Sequence, residues 1–245
     1  RGEMTISEWF QKRISAWNIA SETLKTEILI SKSALIWQDK PIEVAGFEFN
    51  ANEQKVLLWT APKAIYRRSF EAFYFLYDLN TKKLEALDAD HAPQTLAEYS
   101  PDGTKVSFIH GNDIFIKDLA SGKVSKATED GKRNKIINGT TDWVYEEEFA
   151  ITKAYGWSPD SKFLAFLKFD EREVPEFQMA MYGELYPEQY KYKYPKAGEV
   201  NSKVTLNMLD VKSAKIQYDL AQQKLNAEGG KDTERVTTIF TPEKK

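Results

Sequence analysis

The sequence contains no cysteine, which excludes disulfide bonds, thiolate metal sites and a cysteine nucleophile. It also lacks an excess of charge of one sign, because 34 basic residues stand against 37 acidic residues and the net charge is −3. Without a basic surplus the chain has no general electrostatic attraction to polyanions, so we expect no nucleic-acid partner.

Long apolar runs are absent as well. No stretch approaches the length that a membrane-spanning helix needs, and the chain begins with Arg1-Gly2-Glu3 where a signal peptide would have a hydrophobic region. We therefore expect no membrane span in this chain, which is either cytosolic or a mature, processed or trimmed product. What the sequence does contain, 42% hydrophobic, 29% charged and 13% aromatic residues, is typical of a globular protein and favours β structure.

A short motif recurs four times along the chain. Each copy has an Asp or Asn, an aliphatic residue, a polar turn and then a further aliphatic residue, which is the pattern of a β-hairpin. The four copies are Trp17-Asn18-Ile19-Ala20-Ser21 before Leu24, Tyr77-Asp78-Leu79-Asn80-Thr81 before Leu84, Lys117-Asp118-Leu119-Ala120-Ser121 before Val124, and Leu209-Asp210-Val211-Lys212-Ser213 before Ile216. Repetition at this length indicates a repeat architecture.

A second repeated element precedes some of these hairpins. Proline presets the first central turn position, and Asp and Gly favour the others, so Ser-Pro-Asp-Gly predicts a tight turn that leads into a buried strand. The copies are Tyr99-Ser100-Pro101-Asp102-Gly103, Trp157-Ser158-Pro159-Asp160-Ser161 and a degenerate Phe49-Asn50-Ala51-Asn52.

The two elements together predict an all-β fold. A strand, a Ser-Pro-Asp-Gly turn, a buried strand, an outer strand and an Asp-Leu hairpin make a four-stranded antiparallel blade, so we interpret residues 1–245 as part of a β-propeller. An up-and-down sandwich is the alternative. The long interval between the third and fourth hairpins predicts an insertion, which we place at residues 138–149 and in an irregular stretch at residues 172–202.

The first insertion contains three adjacent carboxylates, Glu146-Glu147-Glu148, after Asp142-Trp143-Val144-Tyr145. Asp142 is a candidate helix cap, and neighbouring residues on a helix point about 100° apart, so two of the three acids can flank one small cation. A primary ammonium, with three donors and no acceptor, suits such a pair. A solvated acidic turn is an equally good reading of these residues alone.

The run Asp142-Trp143-Val144-Tyr145-Glu146-Glu147-Glu148-Phe149 resembles the signature of the dipeptidyl peptidase IV family, of the prolyl-oligopeptidase class, in its bacterial form. Further stretches agree in order, and the resemblance extends from about residue 47 to residue 209. These stretches are Tyr66-Arg67-Arg68-Ser69-Phe70 with Tyr77-Asp78-Leu79, Trp157-Ser158-Pro159-Asp160, Glu173-Val174-Pro175 and Tyr194-Pro195-Lys196-Ala197-Gly198.

The resemblance implies a serine peptidase that removes dipeptides ending in Pro or Ala from peptides with a free N-terminus. By the family pattern Glu147 and Glu148 bind the α-ammonium of the substrate, Arg67 contacts its first carbonyl, and Glu146 is structural. Arg68 stands where the best-known members have histidine, a change that should leave the role of Arg67 intact. The resemblance also implies a periplasmic or secreted protein, often a homodimer, that needs no cofactor or metal.

Catalytic residues are not expected in this chain. The nucleophile elbow of an α/β-hydrolase needs Gly-x-Ser-x-Gly, and the stretch around Ser158 matches only its first half before Pro159 makes it a blade turn. We expect His91 and His110 to be surface residues. The resemblance therefore implies that the catalytic α/β-hydrolase domain of the same protein lies outside this chain. A non-catalytic propeller that binds proteins is the rival interpretation.

Two other features have simple readings. Asn138-Gly139-Thr140 fits a glycosylation sequon, but Asn-Gly is also a turn signal, which we prefer. The aromatic, lysine-containing segment Tyr182 to Tyr194 fits a platform for single-stranded nucleic acid only weakly, because no basic surface surrounds it. We expect it to frame a substrate cleft.

Overall fold

The computed structural model describes residues 14–18, 25–183 and 185–218, and nearly all of the regular structure there is antiparallel β-sheet. The first elements form a hairpin of β1 (Ile14–Asn18) and β2 (Lys25–Ile30), a 3-10 turn (Lys32–Ala34), and a short hairpin of β3 (Ile36–Trp37) and β4 (Lys40–Pro41). Residues 19–24, which hold most of the first copy of the hairpin motif, lie outside the described residues.

Two four-stranded sheets follow, and in each the strands pair antiparallel in sequence order, as in a propeller blade. The first blade consists of β5 (Val44–Phe49), β6 (Lys55–Ala64), β7 (Phe70–Asp78) and β8 (Leu84–Ala86). The second blade consists of β9 (Thr95–Tyr99), β10 (Lys105–His110), β11 (Asp113–Asp118) and β12 (Val124–Lys126). The Asp-Leu motifs connect the last two strands of each blade, which confirms the prediction.

The third blade carries both insertions. Its strands are β13 (Ile136–Asn138), β14 (Tyr155–Trp157), β15 (Phe163–Asp170), β18 (Lys203–Asp210) and β19 (Lys215–Tyr218), with a separate hairpin of β16 (Glu176–Met181) and β17 (Glu188–Lys193) between β15 and β18. Both β13 and β14 pair with β15, at its opposite ends. The first strand of this blade is therefore split by residues 139–154, which contain the helix α1 (Trp143–Phe149).

The serine side chains of the Ser-Pro-Asp-Gly turns hold those turns together. Ser100 Oγ accepts a hydrogen bond from Lys105 N at 3.0 Å and donates one to Asp102 Oδ1 at 2.6 Å. Ser158 Oγ repeats both contacts, with Phe163 N and Asp160 Oδ1. In the degenerate copy, Asn50 Oδ1 accepts from Lys55 N at 2.9 Å. The repeat therefore reflects a shared turn chemistry.

Apolar side chains fill the space between successive blades. Leu57 and Leu76 of the first blade pack with Phe108 of the second, and a further cluster joins Ile114 of the second blade to Phe166 of the third. Blades that stack face to face in sequence order belong to a propeller rather than to a two-sheet sandwich. The fold is all-β, and the described residues form part of a β-propeller. No helix in these ranges is long and apolar enough to cross a membrane.

Two local expectations need correction. Residues 172–202 are not irregular throughout, because they hold the hairpin of β16 and β17, in which Phe177 pairs with Tyr192. Asn138 ends a strand rather than forming a hairpin turn. It is only 1% exposed, and its Nδ2 donates to Asp130 Oδ1 at 3.0 Å. That burial excludes glycosylation of Asn138 in the folded chain. Gly139 follows with φ of +80°, a conformation that favours glycine.

Candidate functional site

The helix α1 begins and ends with local capping contacts. Asp142 is the N-cap, and its Oδ1 accepts a hydrogen bond from Tyr145 N at 2.9 Å, as the sequence predicts. The helix ends where Ala150 takes a left-handed φ of +56° and Ile151 N donates to Tyr145 O. A helix of seven residues with both ends fixed presents its three glutamates in defined directions.

Glu146 is directed into the protein. It is 1% exposed, and its Oε1 accepts hydrogen bonds from the backbone N–H groups of Arg68 at 2.7 Å and Ser69 at 2.9 Å. The Arg68 side chain donates a hydrogen bond from Nη1 to the backbone oxygen of Glu146 at 2.8 Å. The loop between β6 and β7 is thus fastened to α1 by three bonds, and these contacts agree with the structural role that the resemblance implies for Glu146.

This fastening places Arg67 beside the second glutamate. Arg67 Nε lies 3.2 Å from Glu147 Oε2, and the Glu147 side chain is 14% exposed whereas that of Arg67 is 70% exposed. Glu148 is exposed at the next position of the helix, and no ion pair joins it to another described residue. Two arginines, Arg67 and Arg68, therefore stand against three carboxylates. The formal charges of these five side chains sum to −1, and Glu148 is the carboxylate with neither a hydrogen bond nor an ion pair to another described residue.

Replacing Glu146 with glutamine is expected to lower the free energy of unfolding by about 1–3 kcal/mol, because two buried N–H groups lose a charged acceptor. Chemical denaturation of the protein measures this change. The matched control is Glu148→Gln, which alters an exposed acid of the same helix and should shift stability by about 0.5 kcal/mol or less. Equal stabilities of the two variants would contradict the fastening role of Glu146.

A cleft of about 550 Å³ lies next to α1, between the β6–β7 loop and β17. Its lining includes Tyr66, Arg68, Arg133, Glu171 and Tyr190. Arg133 lies over the ring of Tyr190, with the guanidinium carbon 5.5 Å from the ring centroid. Tyr190 and Tyr192 of the segment Tyr182 to Tyr194 therefore do frame a cleft, as expected.

Sequence reasoning missed the buried acid of this cleft, Glu171. Burial and, to a lesser degree, the carboxylate of Asp142 raise the pKa of Glu171, Lys193 and Arg133 lower it, and the resulting pKa is about 7. Burial also raises the pKa of Asp142, although a hydrogen bond from Ser202 works against this. Glu171 belongs to no recognisable motif. The residues that shift its pKa, Asp142, Lys193 and Arg133, come from distant parts of the chain.

Glu171→Gln is expected to stabilise the fold at neutral pH. A folded-state pKa above the ordinary value of 4.5 means that the folded chain holds the proton more tightly than the unfolded chain does. Stability is therefore lost as the pH rises from about 4.5 to about 7, and the total loss is up to about 3 kcal/mol. Thermal melts at pH 4 and pH 8 test this. The melting temperature of the variant should exceed that of the wild type only at pH 8. The exposed control Glu173→Gln should raise the melting temperature at neither pH. A higher melting temperature of Glu171→Gln at both pH values would contradict the account.

The remaining candidate residues lie as follows. Ser158 lies in its turn, bonded to Asp160 and Phe163, as the sequence predicts. His91 and His110 are partly exposed, and both pack against the ring of Phe115.

Comparisons with known proteins extend these observations. The family model of the dipeptidyl peptidase IV N-terminal region matches residues 50–237. This match continues past residue 209, where the resemblance of the sequence motifs ends. Probable dipeptidyl-aminopeptidase B of Talaromyces marneffei is 34% identical over 77% of this chain and 23% of its own length. Prolyl endopeptidase FAP of Homo sapiens is 31% identical over 85% of this chain and 27% of its own length. The chain thus spans about a quarter of the length of these relatives.

Solved structures agree with the fold. Dipeptidyl peptidase 4 of Porphyromonas gingivalis matches with a TM-score of 0.79 and 37% identity, over 88% of this chain and 30% of that one. A putative dipeptidyl aminopeptidase IV of Bacteroides ovatus matches with a TM-score of 0.53 and 16% identity, over 84% of this chain and 27% of that one, which supports the fold alone.

Proposed function

This chain belongs to the dipeptidyl peptidase IV family, within its N-terminal region, and on that basis we propose that it is the substrate-recognition part of a serine dipeptidyl peptidase. The protein would release X-Pro and X-Ala dipeptides from peptides with a free N-terminus. Its catalytic α/β-hydrolase domain would lie outside this chain, because the sequence holds no Gly-x-Ser-x-Gly element.

The observation that carries the proposal is the uncompensated charge beside Arg67. Glu147 is largely buried and already paired with Arg67, whereas Glu148 next to it is exposed and has no described ion partner. An ammonium group placed between the two carboxylates would neutralise the cluster and donate three hydrogen bonds. Such a site binds the first residue of a peptide and rejects an internal segment, which has no ammonium to offer.

Arg67 would complete the recognition of the first residue. Its Nε faces Glu147, and its side chain is 70% exposed, which leaves guanidinium N–H groups directed to solvent. A guanidinium held by a carboxylate is a strong donor to a carbonyl oxygen. The carbonyl of the first peptide bond lies a few ångströms from the α-ammonium, so Arg67 and the glutamates would bind both ends of one residue.

The names of the relatives include both dipeptidyl peptidases and a prolyl endopeptidase, so the cleavage position has to be measured. We would incubate the full-length protein with a peptide that has proline at its second position and identify the products by mass spectrometry. Release of the N-terminal dipeptide supports the proposal. Cleavage only after internal prolines, or no cleavage, would contradict it.

A further inference from the structure

The only two histidines of the sequence lie side by side. The ring centroids of His91, in the loop between β8 and β9, and His110, the last residue of β10, are 5.7 Å apart, with the planes at 70°. The ring of His91 packs on Phe115 with centroids 4.5 Å apart, and its side chain is 39% exposed. His110 lines the cleft described above. The pair is therefore fixed by packing yet reachable from solvent.

Each ring is oriented by a hydrogen-bond acceptor at its Nδ1 atom. His91 Nδ1 lies 2.7 Å from Asp88 Oδ2, and His110 Nδ1 lies 2.9 Å from Pro93 O. A carbonyl oxygen and an ionised carboxylate can only accept, so Nδ1 carries the proton in both neutral rings. The free lone pair of each ring is then on Nε2.

Each ring is hydrogen-bonded at Nδ1 as metal-binding histidines are. A histidine that binds a metal almost always donates its other ring N–H to a carboxylate or a backbone carbonyl, which are the two partners present here. Two imidazoles that bind one zinc ion at about 2.1 Å with tetrahedral angles have centroids roughly 5–6 Å apart. The observed 5.7 Å lies in that range. We propose that His91 and His110 bind one divalent transition-metal ion, copper(II) or zinc, through their Nε2 atoms.

The site would offer two protein ligands. Within the described residues no group of three or more His, Cys, Asp or Glu side chains could hold a metal ion together, so water completes the coordination. Imidazole ligands favour copper(II) over zinc and bind magnesium poorly. The expected order of affinity is therefore copper(II), zinc and then magnesium, whereas a cluster of carboxylates would favour magnesium or calcium.

Metal titration of the full-length protein at pH 7.5 tests the proposal. Calorimetry with copper(II) or zinc chloride should count one more bound ion in the wild type than in His91→Gln or His110→Gln. For copper(II), we would subtract the electron paramagnetic resonance spectrum of a variant from that of the wild type. The difference spectrum should show coupling to two imidazole nitrogens. If the rings serve only to pack against Phe115, the titrations of wild type and both variants will coincide, and the proposal is wrong.

A second variant keeps the test independent of folding. Asp88→Asn leaves both rings in place but weakens the acceptor for His91 Nδ1, so it should lower metal affinity about 10–100-fold with the same stoichiometry. Lys123→Ala, in the exposed turn between β11 and β12, should change neither affinity nor stoichiometry. The affinity of the wild type should fall as the pH is lowered, because protons compete with the ion for the imidazole lone pairs. Unchanged affinity in Asp88→Asn, or an affinity that does not fall as the pH is lowered, would overturn the assignment.

Discussion

Replacing Glu147 or Glu148 with alanine is expected to lower kcat/KM of the full-length protein for a dipeptide-proline anilide by about thirty-fold to several thousand-fold. In the proposed complex the two carboxylates share one ammonium, and truncation of one leaves a desolvated charge poorly matched. Breaking such a pair costs about 2–5 kcal/mol, and about 1.4 kcal/mol corresponds to a factor of ten. The loss should occur although neither residue touches the reacting bond.

The control for this prediction is Glu173→Gln, which changes an exposed acid whose partner is Lys203. It should leave kcat/KM unchanged. Both alanine variants should still react at the wild-type rate with a small serine-directed reagent that carries no amine, because the nucleophile is elsewhere. If Glu147→Ala and Glu148→Ala keep kcat/KM within about twofold of wild type, the acidic run is a solvated turn and the assignment is wrong.

Arg67→Ala should reduce kcat/KM by a similar factor, because a charge-assisted bond to the first carbonyl of the substrate is lost. The effect should also be coupled to Glu147, since Arg67 Nε lies 3.2 Å from its carboxylate. The double variant Arg67→Ala with Glu147→Ala is therefore expected to lose less activity than the two single losses multiplied together. Steady-state kinetics on the four proteins measures this coupling.

Arg172→Ala is the matched control, because Arg172 is also exposed and paired with an acid, Asp170, and does not line the cleft beside α1. It should retain wild-type kcat/KM. Arg67→Lys keeps the charge but loses the planar fork of donors, so an intermediate loss is expected. Independent, multiplying losses for Arg67→Ala and Glu147→Ala would show that the two residues act at separate places.

The fold could be predicted from the sequence because the hydrogen bonds that define its turns join residues close together in the chain. Asp78, Asp118 and Asp210 each bond backbone N–H groups within three residues, and Ser100 and Ser158 close their turns within five. A repeated local bond leaves a repeated motif in the sequence. The cap of α1 by Asp142 could be predicted for the same reason.

Long-range contacts left no such signal. Arg68 and Glu146 are bonded across 78 positions, and the split first strand of the third blade is recognisable only from its pairing with β15. Glu171 and His91 are ordinary polar residues in the sequence. Their properties arise from contacts between distant segments. Asp142, Lys193 and Arg133 surround Glu171, and the ring of Phe115 packs against His91.

The central claim is that this chain recognises a free α-ammonium, and the most direct measurement compares a Gly-Pro anilide with its N-acetylated form on the full-length protein. Acetylation removes the positive charge and leaves the scissile bond unchanged. The account predicts that kcat/KM for the acetylated substrate is lower by about thirty-fold to several thousand-fold, the same 2–5 kcal/mol as for the glutamates. It also predicts that this preference shrinks in Glu147→Ala and Glu148→Ala. Equal kcat/KM for the two substrates in the wild type would contradict the claim.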